Sequence, residues 1–409
     1  MIFHSDMATA PIIPSRLLDY HIWRQRSVTV AGRRYSVATK PGLLGHGHDD
    51  VAATLLAERV VIEPGATVVQ MQCGGGLFGA AASLGRGAGE VFLTDRSVVG
   101  VEAARRTLAD CGVTNGTVFL GHGSAPLDPS VRADVVAIRI PTEKPALLQL
   151  LADAFALLRV GGRCTIAGHT NEGIKSGATQ LAALFGNATV LGNDSGFRAV
   201  MAVKRAAAPA DPSMLETPFL PHDAFREMDA VLRGETVRLF SRPGVFSWEH
   251  LDEATAILAD VMPVQRGDAV LDLGCGSGPL GLLAARLSSV GTVTMVDADS
   301  EAVRCAQRAI DAAQQENCRA LCSDVASAVR DQQFDVVVTN PPFHVGKATD
   351  LDVPTQFILD AWQVLRRGGS LALVANRTLP YERLIHDTFG NLTTLHDGAR
   401  FKVLGARKA

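Results

Sequence analysis

The chain is written twice. The stretch "GRRYSVATKPGLL" (Gly32 to Leu44) lines up with "GETVRLFSRPGVF" (Gly234 to Phe246), an offset of 202 residues. The same offset carries "ATVVQMQCGGGLFGAAASL" onto "DAVLDLGCGSGPLGLLAAR" without a gap, and Asp95 onto Asp297. Near the ends, "FGNATVLGNDSGFRAVMAVKR" matches "FGNLTTLHDGARFKVLGARK" with the offset drifted only to 204. A repeat this long requires each copy to bury its own core, so the chain is expected to fold as two similar domains. The division falls at residues 1–205 and 222–409, joined by the Ala- and Pro-rich linker 206–221, "AAAPADPSMLETPFLP".

Each copy alternates short β-type runs with helix-length segments. In the second, "AVLDL", "TVTMVD", "CRALC", "FDVVVTN" and "SLALVAN" read as strands. Helices are expected over Pro279 to Leu287, from near Asp299, and from about Pro354 to Leu365. Such alternation predicts an α/β fold with a mostly parallel sheet covered on both faces. The Asp397-Gly398 turn signal between the last two runs predicts a closing hairpin, which inserts an antiparallel strand.

Bulk properties exclude several function classes. Lys plus Arg number 39 against 42 Asp plus Glu, a net charge of −3, so a protein coated in positive charge for nonspecific nucleic-acid binding is not expected. A local basic patch still suffices for RNA; candidates are Arg24/Arg26, Arg33/Arg34, Lys204/Arg205 and Arg400, Lys402, Arg407 and Lys408. No apolar run has membrane-spanning length, and "MIFHSDMATAPIIPSR" lacks the pattern of a secretion signal, so no membrane contact is expected. Seven scattered cysteines argue for a reducing cytoplasm rather than a disulfide framework. The closest pair, Cys318 and Cys322, has no companion pair or His cluster, so no metal is expected.

The second copy carries the chemistry-bearing motifs. "VLDLGCGSG" runs from strand to turn to helix, and Gly274, Gly276 and Gly278 let a ligand approach the backbone. Asp297, 19 residues after Gly278, ends the next strand, where a carboxylate can accept ribose hydroxyls. A dinucleotide site competes for this pattern. Asp272 shifts the balance, because a carboxylate there repels a pyrophosphate but suits a ligand with an amino group and a sulfonium. Asp324, after the third strand, suits either an adenine amino group or a helix N-cap.

After the fourth strand stands Asn340-Pro341-Pro342-Phe343. An exocyclic amine on a base is a poor nucleophile because its lone pair is delocalised. The Asn340 side-chain oxygen and a backbone carbonyl, that of Pro341, can accept both N–H groups and turn the lone pair outward. Phe343 offers a face on which a base can stack. The alternative is an ordinary proline turn. His344 suits a base or phosphate contact, or capping of its loop. Arg377 and Tyr381, beyond the next strand, suit RNA contact, with Tyr381 equally suited to packing on its own helix. Phe246 and Trp248 suit closure over the site or simple packing.

Together these motifs resemble the class I S-adenosylmethionine-dependent methyltransferases. Asn-Pro-Pro followed by Phe resembles the signature of those that modify adenine, glutamine or guanine amines. "RPGVFSWEHLD", "NPPFHVGK", "VANRTLPYERL" and "FGN…RFKVLGARK" narrow the likeness to the tandem-domain ribosomal RNA guanine-N2 methyltransferases, of the small-subunit methyltransferase C and large-subunit methyltransferase G types. The resemblance spans the chain. It implies two tandem Rossmann-like domains, each a mostly parallel seven-stranded sheet with an antiparallel closing strand. It also implies S-adenosyl-L-methionine as cofactor, ribosomal RNA or a ribosomal subunit as partner, and no DNA. The expected form is a monomer with a pseudo-dimeric domain arrangement. Competing expectations are methylation of a protein glutamine or a small molecule, or a catalytically idle ribosome assembly factor.

The first copy departs where chemistry needs it. Asp272 corresponds to Gln70, Gly274 to Gln72, and Asn340-Pro341-Pro342 to Arg139-Ile140-Pro141. Methyl transfer by this half is not expected; a scaffold or RNA platform is.

Overall fold

The computed structural model describes residues 20–342 and 351–409. Phe343 and His344 lie outside the described residues. Each copy opens with a two-stranded hairpin: β1 (Arg24–Val30) with β2 (Arg33–Thr39), and later β10 (Arg226–Leu232) with β11 (Glu235–Ser241). Both turn on a pair of residues with positive φ, Ala31-Gly32 and Arg233-Gly234, the geometry that matches strand twist.

The first copy continues through α1 (Val51–Arg59), β3 (Thr67–Met71), α2 (Leu77–Arg86), β4 (Glu90–Asp95), α3 (Val98–Cys111), β5 (Gly116–Leu120) and β6 (Ala133–Arg139). It closes with α4 (Lys144–Leu157), β7 (Leu158–His169), α5 (Ile174–Phe185), β8 (Thr189–Asp194) and β9 (Phe197–Val203). The second repeats this plan with α6 (Glu253–Val261), β12 (Ala269–Leu273), α7 (Pro279–Leu287), β13 (Thr292–Asp297), α8 (Ser300–Ala313), β14 (Cys318–Cys322) and β15 (Phe334–Thr339). It ends with α9 (Asp352–Val364), β16 (Leu365–Asn376), α10 (Tyr381–Phe389), β17 (Thr393–Asp397) and β18 (Phe401–Arg407). Two seven-stranded sheets result, ordered β5-β4-β3-β6-β7-β9-β8 and β14-β13-β12-β15-β16-β18-β17. In each, five strands pair in parallel and the hairpin inserts one reversed strand, β9 or β18. The strands are near-continuous apolar runs because helices cover both faces. Val338 packs in one cluster and Val337 in the other, on opposite sides of the second sheet.

The copies touch across loops at the carboxyl ends of β4 and β13. Val98 N donates to Ala298 O at 2.9 Å, and Ser300 N donates to Arg96 O at 2.8 Å. Applying the 202-residue offset turns each of these bonds into the other. Beside them the Arg96 guanidinium holds the Asp299 carboxylate, with Nε 2.7 Å from Oδ1. The segment between the sheets is tied down along its length: Ala210 N bonds Leu184 O, Gln149 Nε2 bonds Leu220 O, and Arg242 Nη1 bonds Pro221 O. Among the described residues no helix is long and apolar enough to cross a membrane. Nor, among them, does any group of three His, Cys, Asp or Glu have the geometry to hold a metal ion.

Candidate functional site

Strand order in the second sheet reverses between β12 and its two neighbours, β13 and β15, and a crevice must open at the carboxyl ends there. A cavity of about 500 Å³ occupies that place. Its wall includes Gly274, Gly276, Asp297, Asp324, Asn340, Pro341, Pro342 and Phe246 of the sequence-predicted set. Polar lining is sparse beside apolar side chains such as Leu280, Val296 and Phe357, as expected for a small-molecule site.

The glycine turn is shaped by close packing. Gly274 sits at φ +76°, and a Cβ there would lie 2.8 Å from the Phe357 ring. Gly278, at φ +87°, caps the start of α7 against Met295 and Ala306. Asp297 pins the turn from below: its Oδ2 accepts from Gly276 N at 2.8 Å and its Oδ1 from Asp299 N at 2.9 Å. Burial, then the neighbouring Asp299 carboxylate, pushes its pKa up to about 6. Asp272 differs from the sequence expectation of a carboxylate pointing into the crevice. It is fully buried beneath the turn, does not line the cavity, and its Oδ2 accepts from Gly281 N at 2.8 Å. Its Oδ1 has no partner among the described residues. Burial raises its pKa to about 7 despite the Gly281 bond, with Asp297 adding to the rise.

Asp324 does not cap a helix. Both its oxygens are taken by the first copy: Tyr20 Oη donates to Oδ1 at 2.9 Å, and Lys40 Nζ pairs with Oδ2. Lys40 is fully buried, with Nζ 3.8 Å from the Tyr20 ring centroid. Burial lowers its pKa, and the Asp324 carboxylate opposes that shift. Tyr20, Pro41, Gly42, Ser97 and Val99 of the first copy also line the cavity. These residues were missed by sequence reasoning, since no local pattern marks a side chain that reaches into another domain.

Asn340 directly follows β15. Its Nδ2 donates to Asp252 Oδ2 and to Thr255 Oγ1, both at 3.0 Å. Its Oδ1 is buried without a partner among the described residues. A buried, unfilled acceptor is costly, and Asn340 is one of the residues that line the cavity. Two of the other expected substrate residues, Arg377 and Tyr381, lie elsewhere. Arg377 bonds Asp397 and Gly398 O of the β17–β18 turn and does not line the cavity. Tyr381 is 2% exposed, packed in the core at the start of α10, and burial pushes its phenol up to about 12. Phe246 is 59% exposed at the cavity wall, whereas Trp248 packs edge-on against Phe219.

In the first copy the matching positions are filled by other contacts. Arg139 makes paired bonds to Glu172 and lies 3.8 Å from Asp50, the counterpart of Asp252. Gln70 Oε1 accepts from Gly79 N as Asp272 does from Gly281, without the charge. Asp95 holds Gly74 N and Ser97 N as Asp297 holds its own turn. That shared duty explains why this acid survives in a copy that has lost the rest.

Comparison with known proteins adds the following. The family model "Methyltransferase small domain" matches residues 34–201 and again 236–405. A Hahella chejuensis protein named ribosomal RNA small subunit methyltransferase C is 33% identical over 274 residues, 67% of this chain and 77% of that one. An Escherichia coli protein of the same name is 32% identical over 282 residues, 69% of this chain and 78% of that one. The solved T. thermophilus 16S rRNA N2 G1207 methyltransferase, in complex with AdoMet and guanosine, superposes with a TM-score of 0.79 at 31% identity. That likeness covers 96% of this chain and 100% of the other.

Proposed function

From the premise that this chain belongs to the methyltransferase small domain family, we propose that it methylates the exocyclic N2 amine of a guanine in small-subunit ribosomal RNA. The reaction is S-adenosyl-L-methionine-dependent and belongs to the second copy. The observation that carries the reading is the buried Asn340 Oδ1, without a partner among the described residues, on a side chain that lines the cavity together with the glycine turn. An N–H of the base amine fills that acceptor, and a second goes to the Pro341 carbonyl. The nitrogen lone pair is thereby turned toward the cofactor end of the cavity. Bound S-adenosyl-L-methionine supplies an electrophilic methyl group on its sulfonium. Gly274, Gly276 and Gly278 admit it, Asp297 accepts from its ribose, Asp324 faces its adenine, and Asp272 acts from beneath the turn. Positioning supplies most of the rate, because a held nucleophile reacts as if at very high concentration. Phe246 offers a face on which the guanine stacks. The substrate roles read from the sequence for Phe343 and His344 fall outside the described residues.

The proposed domain division is 1–205, 206–221 and 222–409, with the first copy a scaffold and RNA platform. Support comes from its filled acceptor position, where Arg139 pairs with Glu172. A monomer whose two copies are arranged like a dimer fits the self-mapping bonds of Val98 and Ser300. Seven free cysteines and a ribosomal substrate fit work in the cytoplasm. The test is to map N2-methylated guanines in ribosomal RNA from cells with and without this protein. Loss of one guanine modification in the small-subunit RNA is expected; an unchanged map refutes the proposal.

A further inference from the structure

The Asn340 amide can serve an amine in only one of its two flips. With Oδ1 toward the cavity it accepts; turned over, it presents N–H groups to N–H groups. What fixes the flip is the start of α6. Asp252 is the N-cap there, and its Oδ2 accepts from Thr255 N at 2.8 Å and Thr255 Oγ1 at 3.0 Å. The same oxygen and the same hydroxyl oxygen then receive Asn340 Nδ2. A carboxylate only accepts hydrogen bonds, so a reversed amide would set oxygen against oxygen. The hydroxyl of Thr255 has its proton engaged by Asp252, which leaves its lone pair for Asn340.

The first copy separates capping from this second task. Asp50 caps α1 by accepting from Ala53 N, so a capping side chain at this position serves the fold in both halves. Thr255, however, corresponds to Ala53, and the amide corresponds to Arg139. The helix start therefore forms without the hydroxyl. Where the amide is present the hydroxyl is present, and the two are in contact. We infer that Asp252 and Thr255 are positioning residues for methyl transfer: they lock the Asn340 amide with its oxygen facing the substrate amine. This rests on the acceptor role proposed for Asn340.

Two variants isolate that task from folding. Thr255→Val keeps the shape and removes the hydroxyl. Asp252→Ser retains an N-capping side chain but is too short to hold the amide. The assay is single-turnover methylation of small-subunit ribosomal RNA, prepared from cells lacking the protein, by the full-length enzyme with S-adenosyl-L-methionine. Both variants should lower the rate by about tenfold or more, with cofactor Kd and thermal midpoint close to wild type, and Thr255→Ser should restore the rate. Thr255→Val or Asp252→Ser reacting at the wild-type rate overturns the inference. So does a rate loss matched by an equal loss of cofactor affinity. A wild-type protein that leaves guanine N2 unmodified overturns the underlying reading instead, and the two failures are told apart by the wild-type lane.

Discussion

Asp272 carries a charge that the cofactor-free fold does not want, and its removal should show a particular dependence on pH. A carboxyl whose folded pKa is about 7, against an ordinary value of 3.8, is protonated in the folded state while already ionised in the unfolded one. Its contribution therefore falls as pH rises from about 4 to about 7, and is flat and unfavourable above that. By linkage the penalty is about 2 kcal/mol at pH 5 and about 4 kcal/mol at pH 8, so roughly 2–3 kcal/mol develops between them. Asp272→Asn keeps an acceptor for Gly281 N and removes the charge, much as Gln70 does in the first copy. Its amide nitrogen falls where Oδ1, without a partner among the described residues, stood, which adds a cost of roughly 1–3 kcal/mol at every pH. That cost cancels when the two pH values are compared. For a domain of this size the variant's melting temperature, relative to wild type, should rise by about 5–10 °C between pH 5 and pH 8. Scanning calorimetry of both proteins without cofactor measures it. A difference that does not change with pH would refute the account of a buried, strained charge.

Three further outcomes are expected. Asn340→Ala should lower methyl transfer by roughly a hundredfold or more, the loss typical of a positioned polar group, while calorimetric cofactor affinity stays within about threefold. Normal methylation by that variant would remove the acceptor assignment. Asp297→Ala should weaken cofactor binding by about 1.5–3 kcal/mol through lost charged hydrogen bonds, with part of that loss coming from the freed Gly276 turn; unchanged affinity would count against the ribose role. Lys40→Met removes the ammonium from the Asp324 carboxylate and leaves it the Tyr20 hydroxyl and the nearby His21 ring, and both thermal stability and cofactor affinity should fall. If titration calorimetry finds the affinity unmoved, Asp324 does not depend on the first copy.

Features that repeat or that sit beside one another in the chain were legible in advance. Pro279–Leu287 and Cys318–Cys322 form where the sequence places them, because an apolar run between turn residues has few alternatives. The long β16 was less visible: it begins at Leu365, five residues before the "SLALVAN" run, through "LRRGG", which has no strand-like pattern. At the site, Asn340, Asp297 and the glycine turn were readable because the backbone topology itself delivers strand ends to the crevice. Asp272 was identified but misaimed. One residue of strand pleat decides whether a side chain enters the crevice or the core, and the sequence does not state it. Arg377 found its partner in a neighbouring hairpin, and Tyr381 found the core. The roles of Lys40, Asp252 and Thr255 depend on contacts between segments far apart in the chain, for which no spacing rule exists.

The bond from Lys40 to Asp324 also limits how this molecule can be taken apart. An engineer who wanted a compact catalyst would cut in the segment 206–221 and discard the half that lacks the motifs. The remaining half would keep its glycine turn and its amide. It would also expose the Asp324 carboxylate with both partners gone, and the cavity would lose the wall that Tyr20, Pro41 and Gly42 supply. For the same reason, grafting the second half behind a different RNA-binding module should fail unless the Tyr20-to-Gly42 segment travels with it. The transplantable unit is thus neither copy, but one copy plus the arm of the other.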